Sequence, residues 1–132
     1  MVGKVEYFSE RPRQVSRVLD VLLADESWAA SIDSQRIGFI GHSAGGFTGA
    51  ALIGATPSLV QTVRHCAEQY SNDPWFCGVS GSKERAIANA RNIDYLPIVP
   101  SSSDPRIKAA VLIAQVGAFF TESSLRNIKA LV

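Results

Sequence analysis

The chain has 132 residues, 46 % of them hydrophobic, with 13 basic against 12 acidic side chains and a formal charge of +1. That length and apolar content suit one packed unit, and the near-neutral charge excludes a field able to gather nucleic acid or an anionic membrane. No stretch reaches the roughly eighteen apolar residues of a membrane span, and Met1 to Tyr7 lacks the apolar core of a signal peptide, so the chain as written is expected to be soluble and cytoplasmic.

Along the chain, Ser9 is placed to cap a helix and Pro12 falls in its first turn, where a missing N–H is harmless. Val15, Val18, Leu19, Leu22 and Leu23 then recur at helical spacing, predicting an amphipathic helix with one face for a sheet. Asp25 to Ser34 looks like a polar connection. Arg36 to Ile40 is a short apolar run with little alternation, as expected of a parallel strand covered on both faces.

Gly41-His42-Ser43-Ala44-Gly45-Gly46 follows, then the small and apolar run Phe47 to Gly54, which predicts a helix able to pack close to a sheet. Leu59, Val63, Cys66 and Tyr70 mark one face of a second helix, and Ser71 to Pro74 breaks the chain. The middle third holds no strand pattern. A short helix is expected over Lys83 to Asn92, with Trp75 and Phe76 packed in the core or the insertion, the alternative being that they line an acyl or lipid pocket. Asp104 to Ala114 turns into a second buried strand, Thr121 or Ser123 caps a helix over Ser124 to Lys129, and Ala130-Leu131-Val132 looks like the opening of a third strand.

Cys66 and Cys77 lack the CxxC spacing and companion histidines of a zinc site, so no metal is expected. They are taken as two small buried thiols, the alternative being a loop-pinning disulfide in a secreted parent.

The chemistry lies in Gly41-x-Ser43-x-Gly45. A serine hydroxyl is a poor nucleophile unless its oxygen is exposed to a base and N–H donors wait where an oxyanion will form. A tight strand-to-helix turn supplies both, forcing the serine into a strained conformation and demanding glycine two positions to either side. Ser43 is then the nucleophile, and the backbone N–H of Ala44 one oxyanion donor, aided by the helix dipole. Three fixed residues occur by chance in roughly 4 % of chains this long, so the weight falls on context. An apolar strand immediately before and a small-residue helix immediately after supply it. The rival reading of a phosphate-cradling loop lacks both GxGxxG and GxxxxGK[ST].

With Arg11 to Ser16, Arg36 to Gly46 and Asp104 to Ala109, the chain resembles the α/β-hydrolases, in particular the dienelactone-hydrolase-like and platelet-activating-factor-acetylhydrolase-like esterases. The resemblance implies an α/β class: a single, partial α/β-hydrolase domain over residues 1–132, with parallel strands, flanking helices and a helical insertion. The nucleophile strand, elbow and helix fall at about 36–55, the insertion at about 56–103 and the next strand at about 107–114. It further implies hydrolysis of a small-molecule or lipid carboxylic ester through a Ser43 acyl-enzyme, with no metal or organic cofactor.

In that family an acid and then a histidine follow the nucleophile, and no residue here matches either, so the chain looks like the central part of a longer hydrolase. His42 points away from its neighbour and is expected to pack beside the turn. His65 is expected to face solvent or a loop, and Asp73, Asp94 and Asp104 to shape turns and caps. The alternatives carried forward are a catalytically inactive fragment or binding module, and an acyltransferase using the same elbow. Exposed sheet edges are expected to promote self-association.

Overall fold

The computed structural model describes residues 5–79 and 81–130. Helix α1 (Val5–Ala24) is already helical ahead of Ser9, so Ser9 is not its cap: Ser9 Oγ donates to the Glu6 carbonyl at 3.3 Å, and Pro12 lies inside the helix. Phe8 supplies the reason. It is 3 % exposed and meets Phe47 and Phe119 edge to face. An interior proline costs about 3 kcal/mol, and a fully buried phenylalanine contributes about 1.5–3 kcal/mol, so carrying Phe8 into the core on a continuous helix offsets most of that penalty. A short helix α2 (Glu26–Ala29) follows, its first N–H groups held by the Asp25 side chain, within the stretch expected to be connection.

Strand β1 (Ile37–His42) runs two residues past the expected end at Ile40 and leads into α3 (Ala44–Leu52). The chain then passes through α4 (Leu59–Gln69), α5 (Pro74–Gly78) and α6 (Lys83–Ala90) before β2 (Ile107–Ile113) and α7 (Glu122–Leu125). The strands pair in parallel, from Ile37 with Ile107 to His42 with Ile113, as a two-stranded sheet flanked by helices. The chain is therefore of α/β type, and no described helix is long and apolar enough to cross a membrane.

Helices α1 and α3 cover one face of that sheet, where Val15, Leu19, Phe39 and Leu112 pack around buried Leu52, Ile107 and Ala110. The expectation of two covered faces is not met among the described residues: Ile40 is 73 % and Val111 53 % exposed, with Ile113 beside them. An open apolar face bordered by unpaired edges favours pairing between chains. Sedimentation at rising concentration is expected to show association, and a monodisperse monomer throughout would overturn this.

Between the strands, residues 56–103 contain helices and no strand among the described residues. The segment is tied at both ends, by the Ser58 N–H on the Phe119 carbonyl at 2.7 Å and the Asp104 N–H on the Leu52 carbonyl at 2.8 Å. Cys66 and Cys77 are joined as a disulfide, Cα atoms 5.3 Å apart, in place of the two thiols first expected. The bond links α4 to α5, and both cysteines pack against buried Ala86 of α6. Because such a link restricts the unfolded chain, Cys66→Ser is expected to lower stability by about 2–3 kcal/mol. An unchanged urea midpoint would show that α4 and α5 hold without it.

Phe76 enters a cluster with Phe8, Phe47, Phe119 and Phe120, ring centroids 4.9–5.4 Å apart. Trp75, expected to pack, stands 91 % exposed. Near the carboxyl end, Thr121 and not Ser123 caps α7, its Oγ1 accepting from the Ser124 N–H at 3.1 Å. The helix stops at Leu125, short of Lys129, and Leu131 and Val132 of the expected third strand lie outside the described residues.

The start of β2 is held by an ion pair between buried Asp104 and half-buried Arg106. Asp104 accepts from Arg106 N and Nε at 3.0 and 2.9 Å and pairs with Nη2 at 2.6 Å. Arg106 also reaches Asp20 at 2.7 Å and the Ser16 carbonyl at 3.2 Å, which pins the strand to α1. The Arg106 hydrogen bonds hold the Asp104 carboxyl down from 3.8 to about 2. A depressed carboxylate stabilises the fold fully above its unfolded value near 4, and the contribution disappears as pH falls toward 2. Asp104→Asn is accordingly expected to cost about 2 kcal/mol at pH 7. The gap to the parent chain should close between pH 4 and 2, and a gap independent of pH would point to packing instead.

Candidate functional site

β1 ends at His42 and α3 begins at Ala44, leaving Ser43 alone to reverse the chain. It does so at φ 53° and ψ −115°, one of two non-glycine residues with positive φ among those described. A side chain in so sparsely populated a region costs on the order of 1–3 kcal/mol. Three backbone contacts hold it there. The Ser43 N–H donates to the Ile113 carbonyl at 2.9 Å, its carbonyl accepts from the Phe47 N–H at 3.1 Å, and the turn closes across Gly41.

A Cβ on Gly41 would lie 2.3 Å from the Gly45 carbonyl oxygen and 2.8 Å from the Gly46 nitrogen, so only glycine fits. The expected reason for glycine at 45 does not hold. A Cβ there meets nothing within 4 Å, whereas one on Gly46 would come within 2.9 Å of Gln115 Cβ. The glycine that lets α3 approach β2 is therefore Gly46, which the GxSxG spacing leaves out and the doubled Gly45-Gly46 could have signalled. Gly49 has the same role one turn on, where a Cβ would sit 2.7 Å from both Leu112 Cδ2 and Phe39 Cδ1.

The second strained residue is Ala114, at φ 47°, immediately after Ile113. Since His42 and Ile113 are the last register pair, both strands end in a left-handed residue at the same level. This second turn carries Gln115 against Gly46, and Gln115 Oε1 is buried without a hydrogen bond from any described residue. A buried acceptor left open beside the elbow is a rare feature, and nothing in the sequence pattern marks it.

Ser43 is exposed, and its hydroxyl makes no hydrogen bond to a described residue. Ala44, Gly45 and Gly46 form the first turn of α3, whose N–H groups have no partner inside the helix and carry the positive end of its dipole. Ser43, Ala44, Gly41 and Gly45 are thus gathered at one turn. Beside it, a cleft of ≈ 340 Å³ runs between α1 and α3, lined by Arg11, Gln14, Val18, Phe39, Gly45 and Thr48. Arg11 Nε donates to Thr48 Oγ1 at 3.2 Å, placing a guanidinium on its wall. A larger cleft of ≈ 480 Å³ lies by the opposite end of β2, around Asp104 and Ile107, and does not include Ser43.

Neither histidine contacts Ser43 through a hydrogen bond. His42 is exposed on the open sheet face in register with Ile113, not packed beside the turn. His65 is half-buried on α4, its Nε2 2.9 Å from Asp73 Oδ2 and its ring edge-on to Phe76. Asp73 also caps α5 through Oδ1, as its place before Pro74 led one to expect. Turn geometry, an exposed hydroxyl and unpaired N–H donors are present together, while a base for Ser43 is not found among the described residues. No protein-family model, curated protein or solved structure matches this chain.

Proposed function

We propose that this chain is the nucleophile-bearing segment of a serine hydrolase of the α/β-hydrolase fold, acting on carboxylic esters. The observation that carries the reading is the backbone of Ser43: a non-glycine residue at φ 53° between a parallel strand and a helix, its hydroxyl exposed. Strain of that kind persists where the surroundings over-determine it, and it concentrates at reacting groups. In this reading Ser43 Oγ attacks the ester carbonyl, a base takes its proton, and the Ala44 N–H, with the first turn of α3 behind it, holds the oxyanion. The alcohol leaves with a proton, an acyl-Ser43 ester remains, and water releases the acid. This reading requires a base and its carboxylate partner that are not found beside Ser43 among the described residues.

The second reading is a non-catalytic segment, and the lack of a hydrogen-bonded base at Ser43 favours it for the chain by itself. Added imidazole distinguishes the two. With a fluorophosphonate probe, millimolar imidazole is expected to accelerate labelling at Ser43, and Ser43→Ala to abolish it. Labelling equal in the variant, or none at all, would remove the hydrolase reading. Rapid unaided turnover of a nitrophenyl ester, lost in Ser43→Ala, would instead show that a base already lies within the chain.

A further inference from the structure

The meeting of α4 with α5 gathers four metal-ligating side chains away from Ser43. One donor atom each from His65, Asp73 and Cys77 lies within 4.8 Å of the others, and Cys66 is bonded to Cys77 through sulfur. We propose that reduction of the Cys66–Cys77 disulfide opens a zinc site formed by both thiolates, the His65 imidazole and the Asp73 carboxylate. Two sulfurs, one nitrogen and one oxygen suit the four-coordinate, tetrahedral preference of Zn²⁺.

The geometry is close to closure. Tetrahedral zinc with these ligands sets neighbouring donors about 3.3–3.8 Å apart. His65 Nε2 and Asp73 Oδ2 already stand 2.9 Å apart, with a proton where the metal would enter. Among His65, Asp73 and Cys77 the widest separation, up to 4.8 Å, has to contract by roughly 1 Å, and the two sulfurs have to part from bonding distance to about 3.8 Å once reduced, both of which side-chain torsions can supply. Asp73 is prepositioned, since its Oδ1 is held by the Phe76 N–H at the start of α5 while Oδ2 faces the histidine. Both sulfurs are buried, and the side chains of His65 and Asp73 are 24 % and 39 % exposed, which leaves an entry path from solvent.

The chemistry balances with a phosphine as reductant and water as the source of oxygen and protons. A phosphine reductant attacks one sulfur, the S–S bond breaks, and water supplies the oxygen of the phosphine oxide and the two protons of the thiols. Zinc binding then releases one proton from each thiol, while His65 moves its proton to Nδ1 and ligates through Nε2. A small disulfide as two-electron oxidant takes the two thiolates back to the Cys66–Cys77 bond, itself leaves as two thiols after taking up two protons, and the metal is expelled, so disulfide and zinc are mutually exclusive clasps between α4 and α5.

The test uses the purified chain with tris(2-carboxyethyl)phosphine under nitrogen and Co²⁺ as the spectroscopic probe. The reduced chain is expected to bind one Co²⁺ with a thiolate-to-metal band and tetrahedral visible absorption, displaced by Zn²⁺, and the oxidised chain to show neither. His65→Gln and Asp73→Asn keep both sulfurs, and each is expected to weaken Zn²⁺ binding about tenfold or more. A reduced chain without these bands overturns the proposal. So do variants that bind as tightly as the parent, because the metal would then be held by the thiolates alone, as in an unfolded chain.

Discussion

Gly41→Ala is expected to destabilise the chain by about 3 kcal/mol or more, while Gly45→Ala is expected to be neutral or stabilising by about 0.5–1 kcal/mol. At position 41 the added methyl would overlap the Gly45 carbonyl and the Gly46 nitrogen. Those are backbone atoms and cannot rotate aside. The turn would have to open, which breaks the Ser43 contact to the Ile113 carbonyl and unseats the first turn of α3. At position 45 the methyl enters open space on a helix, where alanine is simply the better helix former. Chemical denaturation of both variants checks the contrast, and two equal losses would mean that the turn is not closed as described.

Ser43 offers a second test, in which function and stability move in opposite directions. Ser43→Gly is expected to raise stability by about 1 kcal/mol, since glycine adopts φ 53° without strain. The same change removes all imidazole-assisted phosphonate labelling. Ser43→Ala is equally dead to the probe yet keeps the strained Cβ, so it should gain nothing in stability. If both variants melt with the parent, position 43 holds no stored strain, and the chief support for a reactive hydroxyl there is lost.

The elbow was legible because its determinants are local. An apolar run, a Gly-x-Ser-x-Gly turn and a small-residue run are adjacent in the chain, and each limits the backbone of the next. Contacts that join distant segments were not legible. Phe8 draws α1 past Pro12 only because Phe47 and Phe119 wait for it, and the disulfide exists only because α4 and α5 meet over Ala86. Gly46 is chosen by Gln115 in the turn after β2, so the GxSxG spacing does not name it and only the doubled glycine hints at it. Sequence alone has His65 facing solvent or a loop and Asp73 forming a turn or cap, and the tertiary fold makes them a pair. Trp75 marks the opposite limit, since hydrophobicity alone placed inside a residue that stands in solvent.

The pairing of Ile37 with Ile107 has a kinetic consequence. Every helix of the intervening segment must be looped out before the first ladder bond forms, and the entropy of closing that loop is spent before any sheet contact repays it. High contact order of this kind slows the final step of folding. The helical segment is expected to organise first and the two strands to meet last. During that interval a nascent chain presents bare strand edges, and it is then that a holding chaperone, or a neighbouring copy of the same chain, has its best opportunity to capture it.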